Sequence, residues 1–134
     1  MKKYNVIGVL SPERNEWLMC LRAKEPYKGL YNLVGGKVEP GETGEEAAYR
    51  ELAEETGIGR AQIELRHVID FTYYLDDIVL EFWAGRLKEP AVLREEKNPL
   101  RWFPLAGDFF DASRFAGNGN IGYMLMELRA AGMA

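Results

Sequence analysis

Apolar residues recur along this chain in two rhythms. Residues 4–10 and 16–22 are apolar-rich runs separated by Ser11-Pro12-Glu13-Arg14-Asn15, a pattern that predicts a β-hairpin. Residues 23–31 read as a loop, and short strand pieces follow around 32–34 and 37–39. Residues 62–74 and 78–87 predict a second, longer hairpin around Asp76-Asp77. A polar loop at 88–98 leads to a last strand at 100–105, with Pro104 near its end. The second rhythm is helical. Ile121, Met124, Leu125 and Leu128 predict a packed helix over 120–131, with Asn120 as its cap. Strands interleaved with separated helices suit an α/β fold whose sheet is covered on both faces. No repeat, low-complexity stretch or linker divides residues 1–134, so one domain is expected.

The other helix is acidic. Thr43 with Glu46 three residues later is a capping-box pair, and Gly57 supplies a left-handed stop. On a wheel of about 100° per residue, Arg50, Glu54, Glu51 and Glu55 share one side, while Ala48, Leu52, Tyr49 and Ala53 form the packing side. Ala47 is small enough to leave room among the acids. Crowded carboxylates repel one another unless a divalent cation sits among them, which makes this ridge a candidate Mg²⁺ site. Arg50, one turn before Glu54, can hold a carboxylate with a bidentate fork.

The segment reads GKVEPGETGEEAAYRELAEETGI, with Gly36, Glu42, Arg50, Glu51, Glu54, Glu55 and Gly57 at fixed spacing. Seven such residues, each at a frequency of about 7%, coincide by chance roughly once in 10⁸ windows, so an ordinary solvated acidic helix is rejected. The pattern resembles, without a departure, the signature of the Nudix hydrolases. That resemblance implies an α/β/α sandwich, a mixed sheet flanked by the box helix and a C-terminal helix. It also implies hydrolysis of a diphosphate linkage with Mg²⁺ or Mn²⁺. By the same resemblance, the carbonyl of Gly35 or Gly36 joins Glu51, Glu54 and Glu55 around the metals, and Glu42 binds a metal or steers Arg50.

Phosphoryl transfer needs positioned water, an in-line leaving group and positive charge on the oxygens. Glu54 is the first choice for general base, since it can point into the cluster. Glu96, where relatives place an extra acid, is the alternative. Arg22, with Lys24 and Lys28 after it, is placed to meet the phosphate chain, and Lys37 is structural or phosphate-facing.

Composition narrows the class. Hydrophobic residues make up 47% of 134, which excludes a disordered chain. The apolar run at 6–10 is too short for a signal peptide or a membrane span, so a cytoplasmic enzyme is expected. Cys20 is the single cysteine and sits in an apolar run, which predicts a core thiol. A net charge of −4 argues against general nucleic-acid binding. His67, the only histidine, lies in an apolar strand and reads as a packed or edge residue rather than a zinc ligand.

The substrate is less strongly written. Residues 29–39, GLYNLVGGKVE, are similar to the run that reads the base in the oxidised-purine nucleoside triphosphatases of this family. Asn32 matches their asparagine, while Tyr31 and Val34 depart from their usual residues. An amide can satisfy a purine donor and an acceptor together. Asn118 and Asn120 stand where relatives grip the purine, and Phe71, Tyr73, Trp83 and Phe115 are candidate pocket walls. The expected substrate is a nucleoside triphosphate such as 8-oxo-dGTP, cleaved to monophosphate and pyrophosphate, a role in nucleotide-pool sanitation. The alternatives are another nucleoside diphosphate derivative, or a ligand-binding module without turnover. Small relatives are often dimers, which leaves a homodimer as an open expectation.

Overall fold

The computed structural model describes residues 1–134. Six strands and two helices follow in the order β1 (Lys2–Leu10), β2 (Glu16–Leu21), β3 (Tyr31–Lys37), α1 (Gly44–Thr56), β4 (Arg66–Tyr73), β5 (Ile78–Arg86), β6 (Leu100–Pro104) and α2 (Asn120–Ala130). The strands form one mixed sheet in the order β4-β5-β1-β3-β2-β6. Only β1 and β5 run parallel, in register from Lys2↔Ile78 to Leu10↔Arg86. These central strands carry the longest buried stretches because both of their faces are covered.

Each helix covers one face. Ile121, Met124, Leu125 and Leu128 of α2 pack with Val6, Leu10, Trp17 and Phe82 on one side. Ala48 and Leu52 of α1, with Ile58 just beyond it, pack with Ile7, Val9, Leu18 and Val34 on the other. The expected α/β/α sandwich is therefore what the chain builds. Burial of a side chain such as Leu52 contributes about 1.5–3 kcal/mol, and this anchors the acidic ridge to the sheet.

Helix α1 begins as its residues dictate. Thr43 Oγ1 accepts from Glu46 N–H at 3.1 Å, Glu46 Oε1 accepts from Thr43 N–H at 2.9 Å, and Gly57 closes the helix at φ 80°.

Three local expectations are corrected. The pair β1 and β2 is a hairpin only at its neck, Leu10↔Trp17. Beyond the neck the two strands splay, and β3 pairs antiparallel first with β2 (Tyr31 to Leu33) and then with β1 (Val34 to Lys37). The change of partner falls between Leu33 and Val34, just before Gly35 and Gly36. The pieces expected at 32–34 and 37–39 are replaced by one strand that runs through Gly35 and Gly36 and ends at Lys37. Finally, Gly119 (φ 96°) caps α2 without a side-chain bond, while the Asn120 amide reaches across to Tyr73. No helix is long and apolar enough to cross a membrane.

Candidate active site

The sheet brings Gly35 and Gly36 beneath α1. A Cβ on Gly36 would overlap the Glu51 carboxyl, so only glycine lets the helix lie this close. Gly35 N–H donates to Glu55 Oε2 at 2.7 Å, which joins strand and helix directly. Glu51 and Glu55 are 6% and 8% exposed, and the Glu54 side chain is 46% exposed. Two carboxylates therefore face the protein and one faces solvent.

Arg50 ties this ridge together. Its Nε and Nη2 donate to the two oxygens of Glu42 at 3.0 and 2.6 Å, a bidentate pair. Nη1 reaches Glu51 Oε1 at 3.0 Å and Glu54 Oε2 at 3.2 Å, and Nη2 also donates to the Lys37 carbonyl at 2.9 Å. The Arg50 hydrogen bonds, with a further one from the Glu39 N–H, hold the Glu42 carboxyl at about 2, far below its ordinary value. Both Glu42 oxygens are thus taken up by Arg50.

Glu55 moves the other way. Burial raises its carboxyl to about 7, and the nearby Glu51 charge adds to that, against the Gly35 N–H, Lys97 and Arg22. An anion so poorly solvated favours a cation or a proton beside it. Burial also pushes the Cys20 thiol up to about 12, as expected of an inert core residue.

In this state the carboxylates do not converge on one point. Glu51 and Glu54 turn to Arg50 and to Lys97, whose Nζ lies 3.9 and 3.8 Å from them, and Glu55 turns to Gly35 N–H. The donor set is nevertheless all hard oxygen, the chemistry Mg²⁺ and Mn²⁺ require, and a cation of the protein already stands against two of the three acids. Glu51, Glu54, Glu55 and a glycine carbonyl fit a divalent ion once these contacts exchange. Ala47 is fully buried, so the space its small side chain leaves lies under the helix rather than among the exposed acids.

The loop before β6 delivers Lys97 where the sequence pointed to Glu96. Glu96 is half exposed and pairs with Arg94 at 3.8 Å. Arg22 donates to the Pro26 carbonyl at 2.7 Å, which fixes the loop after β2, and its charge is felt at Glu55. Asn32 Oδ1 accepts from the Leu33 N–H at 2.8 Å, leaving its amide nitrogen for other partners. The segment around Phe115 pairs with Tyr31, so Asn32 and Asn118 are carried by adjoining segments. Asn118 is exposed at φ 52°, and Asn120 Nδ2 donates to the Tyr73 hydroxyl at 3.1 Å. Phe71 sits edge-to-face with Tyr123 at the same rim. Trp83 and Phe115, two of the four candidate walls, are buried in opposite core clusters instead. Trp83 stacks on His67, which confirms the histidine as a packed edge residue paired to Asp70.

Sequence reasoning missed three polar residues here: Lys97, Asn5 and Glu81. Lys97 carried no signal in a charged loop. Asn5 and Glu81 are the buried polar residues of β1 and β5, and the available sign was Glu81 breaking the apolar run Ile78–Ala84.

The NUDIX domain family model matches residues 1–108. The chain belongs to the NUDIX family. Among curated relatives, the 8-oxo-dGTP diphosphatase of Escherichia coli K12 is 33% identical over 109 residues, covering 80% of this chain and 84% of that protein. The ADP-ribose pyrophosphatase of Methanocaldococcus jannaschii is 38% identical over 92 residues, covering 60% of this NUDIX chain and 54% of the relative. Among solved structures, a MutT from work on the Aliivibrio salmonicida and Vibrio cholerae proteins matches with a TM-score of 0.75 at 21% identity, covering 96% of this chain and 98% of its own. At that identity the likeness carries the fold alone.

Proposed function

We propose that this NUDIX protein is a divalent-cation-dependent hydrolase that cleaves a purine nucleoside triphosphate, such as 8-oxo-dGTP, to the monophosphate and pyrophosphate. The observation that carries this reading is the acidic ridge in which Arg50 holds Glu51 and Glu54 while Glu55 accepts the Gly35 N–H of the strand beneath. A bound Mg²⁺ would neutralise phosphate charge and lower the pKa of attacking water. The protein's own residues do the rest. Arg50 holds Glu51 and Glu54 in place, and Glu54, exposed and one turn away, takes the proton from the water. Glu55, raised to about 7 by burial, gains most from a cation partner.

At the opposite helix, the Asn120–Tyr73 pair, Asn118 and Phe71 supply polar and aromatic groups suited to a nucleobase. The likeness to the E. coli diphosphatase supports a triphosphate substrate. The likeness to the archaeal pyrophosphatase favours ADP-ribose as the second reading.

The deciding experiment is a Mg²⁺-dependent substrate panel with oxidised dGTP, dGTP, ADP-ribose and a dinucleoside polyphosphate, with products resolved by chromatography. Preferential release of pyrophosphate from oxidised dGTP is expected. AMP from ADP-ribose as the dominant product would select the second reading, and inactivity throughout would favour a ligand-binding module.

A further inference from the structure

Asn5 is 2% exposed, and its amide nitrogen has no partner. It lies in β1 directly opposite Gly36 of β3 and beside Glu81 of β5. Two-residue alternation puts Asn5 and Glu81 on the α1 side, with Ile7 and Trp83. Helix α1 lies over this row. A Cβ on Gly44 would overlap the Glu81 carboxylate, and one on Gly36 would overlap the Glu51 carboxylate. Gly44, Ala47 and Glu51 form one stripe of the helix, so Asn5 sits in a roofed seam between two buried acids.

A leucine or valine would fill this strand position without an unpaired donor, and native proteins rarely keep such a donor without a use. The other end of the amide shows the use. Asn5 Oδ1 accepts the Gly36 N–H at 3.0 Å. In a trans peptide the N–H and the preceding carbonyl point opposite ways, so holding Gly36 N–H toward β1 turns the Gly35 carbonyl away from β1. On the other flank of Gly35, its own N–H is held by Glu55 at 2.7 Å. The β2–β3 register ends at Leu33, so no strand on that side sets the direction of this carbonyl.

We infer that Asn5 is the positioning residue of the cation-facing backbone, fixing the Gly35–Gly36 peptide so that the Gly35 carbonyl is presented on the side of Glu55, with a spare amide donor in the seam between Glu51 and Glu81. The inference rests on the proposed cation-dependent reading for its consequence, and on hydrogen-bond geometry alone for its structure.

The test uses the wild type, Asn5→Leu and Asn5→Asp. The Leu variant removes both polar functions, while Asp keeps an acceptor for Gly36 N–H and so guards against a variant that merely fails to fold. The readouts are Gly36 amide exchange by NMR without cation, and Mn²⁺ affinity by calorimetry without nucleotide. Asn5→Leu should exchange Gly36 about tenfold faster or more and bind Mn²⁺ roughly 10- to 100-fold more weakly, the range for residues that orient metal ligands. Asn5→Asp should restore Gly36 protection. Wild-type Mn²⁺ affinity in a folded Asn5→Leu, or unchanged Gly36 exchange, overturns the inference while leaving the hydrolase reading intact. Mn²⁺ uptake that Asn5→Leu weakens, in a protein that turns over no nucleotide, upholds the positioning role and removes the hydrolase reading. Absence of Mn²⁺ uptake by the wild type overturns both.

Discussion

Lys97 Nζ stands 3.9 Å from Glu51 Oε2, against a carboxylate that is 6% exposed and proposed to hold the divalent ion. It also lies 3.8 Å from Glu54. A tethered ammonium in that position competes with any cation that seeks the same oxygens. Replacing Lys97 with Met should therefore tighten Mn²⁺ binding. Exposed pairs contribute about 0.2–1 kcal/mol, so the gain should be modest, roughly up to fivefold. Calorimetry on the two proteins checks it, and weaker binding by the variant would show that Lys97 supports the site.

Glu54 and Glu96 make opposite predictions. Glu54 is joined to Arg50 on the ridge, whereas Glu96 is paired to Arg94 outside it. Glu54→Gln should lower turnover by about 10²-fold or more with the fold intact, and Glu96→Gln by much less. Steady-state rates with circular dichroism decide between them. An equal or larger loss in Glu96→Gln would move the base to that loop.

The Glu42–Arg50 fork should shape acid stability. Glu42 is held at about 2, chiefly by the Arg50 hydrogen bonds, below the ordinary 4.5. A folded-state value below the unfolded one means the contribution is complete above about 4.5 and lost as pH falls toward 2. Urea unfolding between those limits should show this decline, and Arg50→Met should flatten it.

Glu55 has the reverse sign. Its folded carboxyl, raised from 4.5 to about 7 by burial, binds more protons than the unfolded chain between those values. Cation-free stability should therefore fall as pH rises from 4.5 toward 7. Saturating Mg²⁺ should suppress the fall, with proton release on binding near neutrality. Thermal melts across pH, with and without Mg²⁺, provide the measurement, and Glu55→Gln should remove the dependence.

The Asn120–Tyr73 contact predicts a defect confined to substrate binding. Asn120→Ala and Tyr73→Phe, each at the rim where α2 meets β4, should raise KM by up to about tenfold while kcat holds, as expected for loss of a hydrogen bond to a neutral group. A double variant no worse than either single one would confirm that the two act as a unit.

What this chain declared in advance was local. Thr43, Glu46 and Gly57 set the limits of α1 because caps act over three or four residues. The spacing from Arg50 to Glu55 put the acids on one face because a helix repeats every 3.6 residues. The same logic located α2 and the long β4–β5 pair, but it read the packing side of α1 only in part: Ala48 and Leu52 are buried, whereas Ala53 is exposed and Glu51 and Glu55 turn inward in its place. Tertiary packing decided the rest. Insertion of β3 between the splayed arms of β1 and β2 is a non-local choice that no turn signal encodes. Asn5 beneath Glu51, Lys97 in place of Glu96, and Asn120 turned to Tyr73 rather than capping its helix all join residues far apart in the chain. Such contacts depend on how the strands stack and where loops land, which sequence spacing does not record.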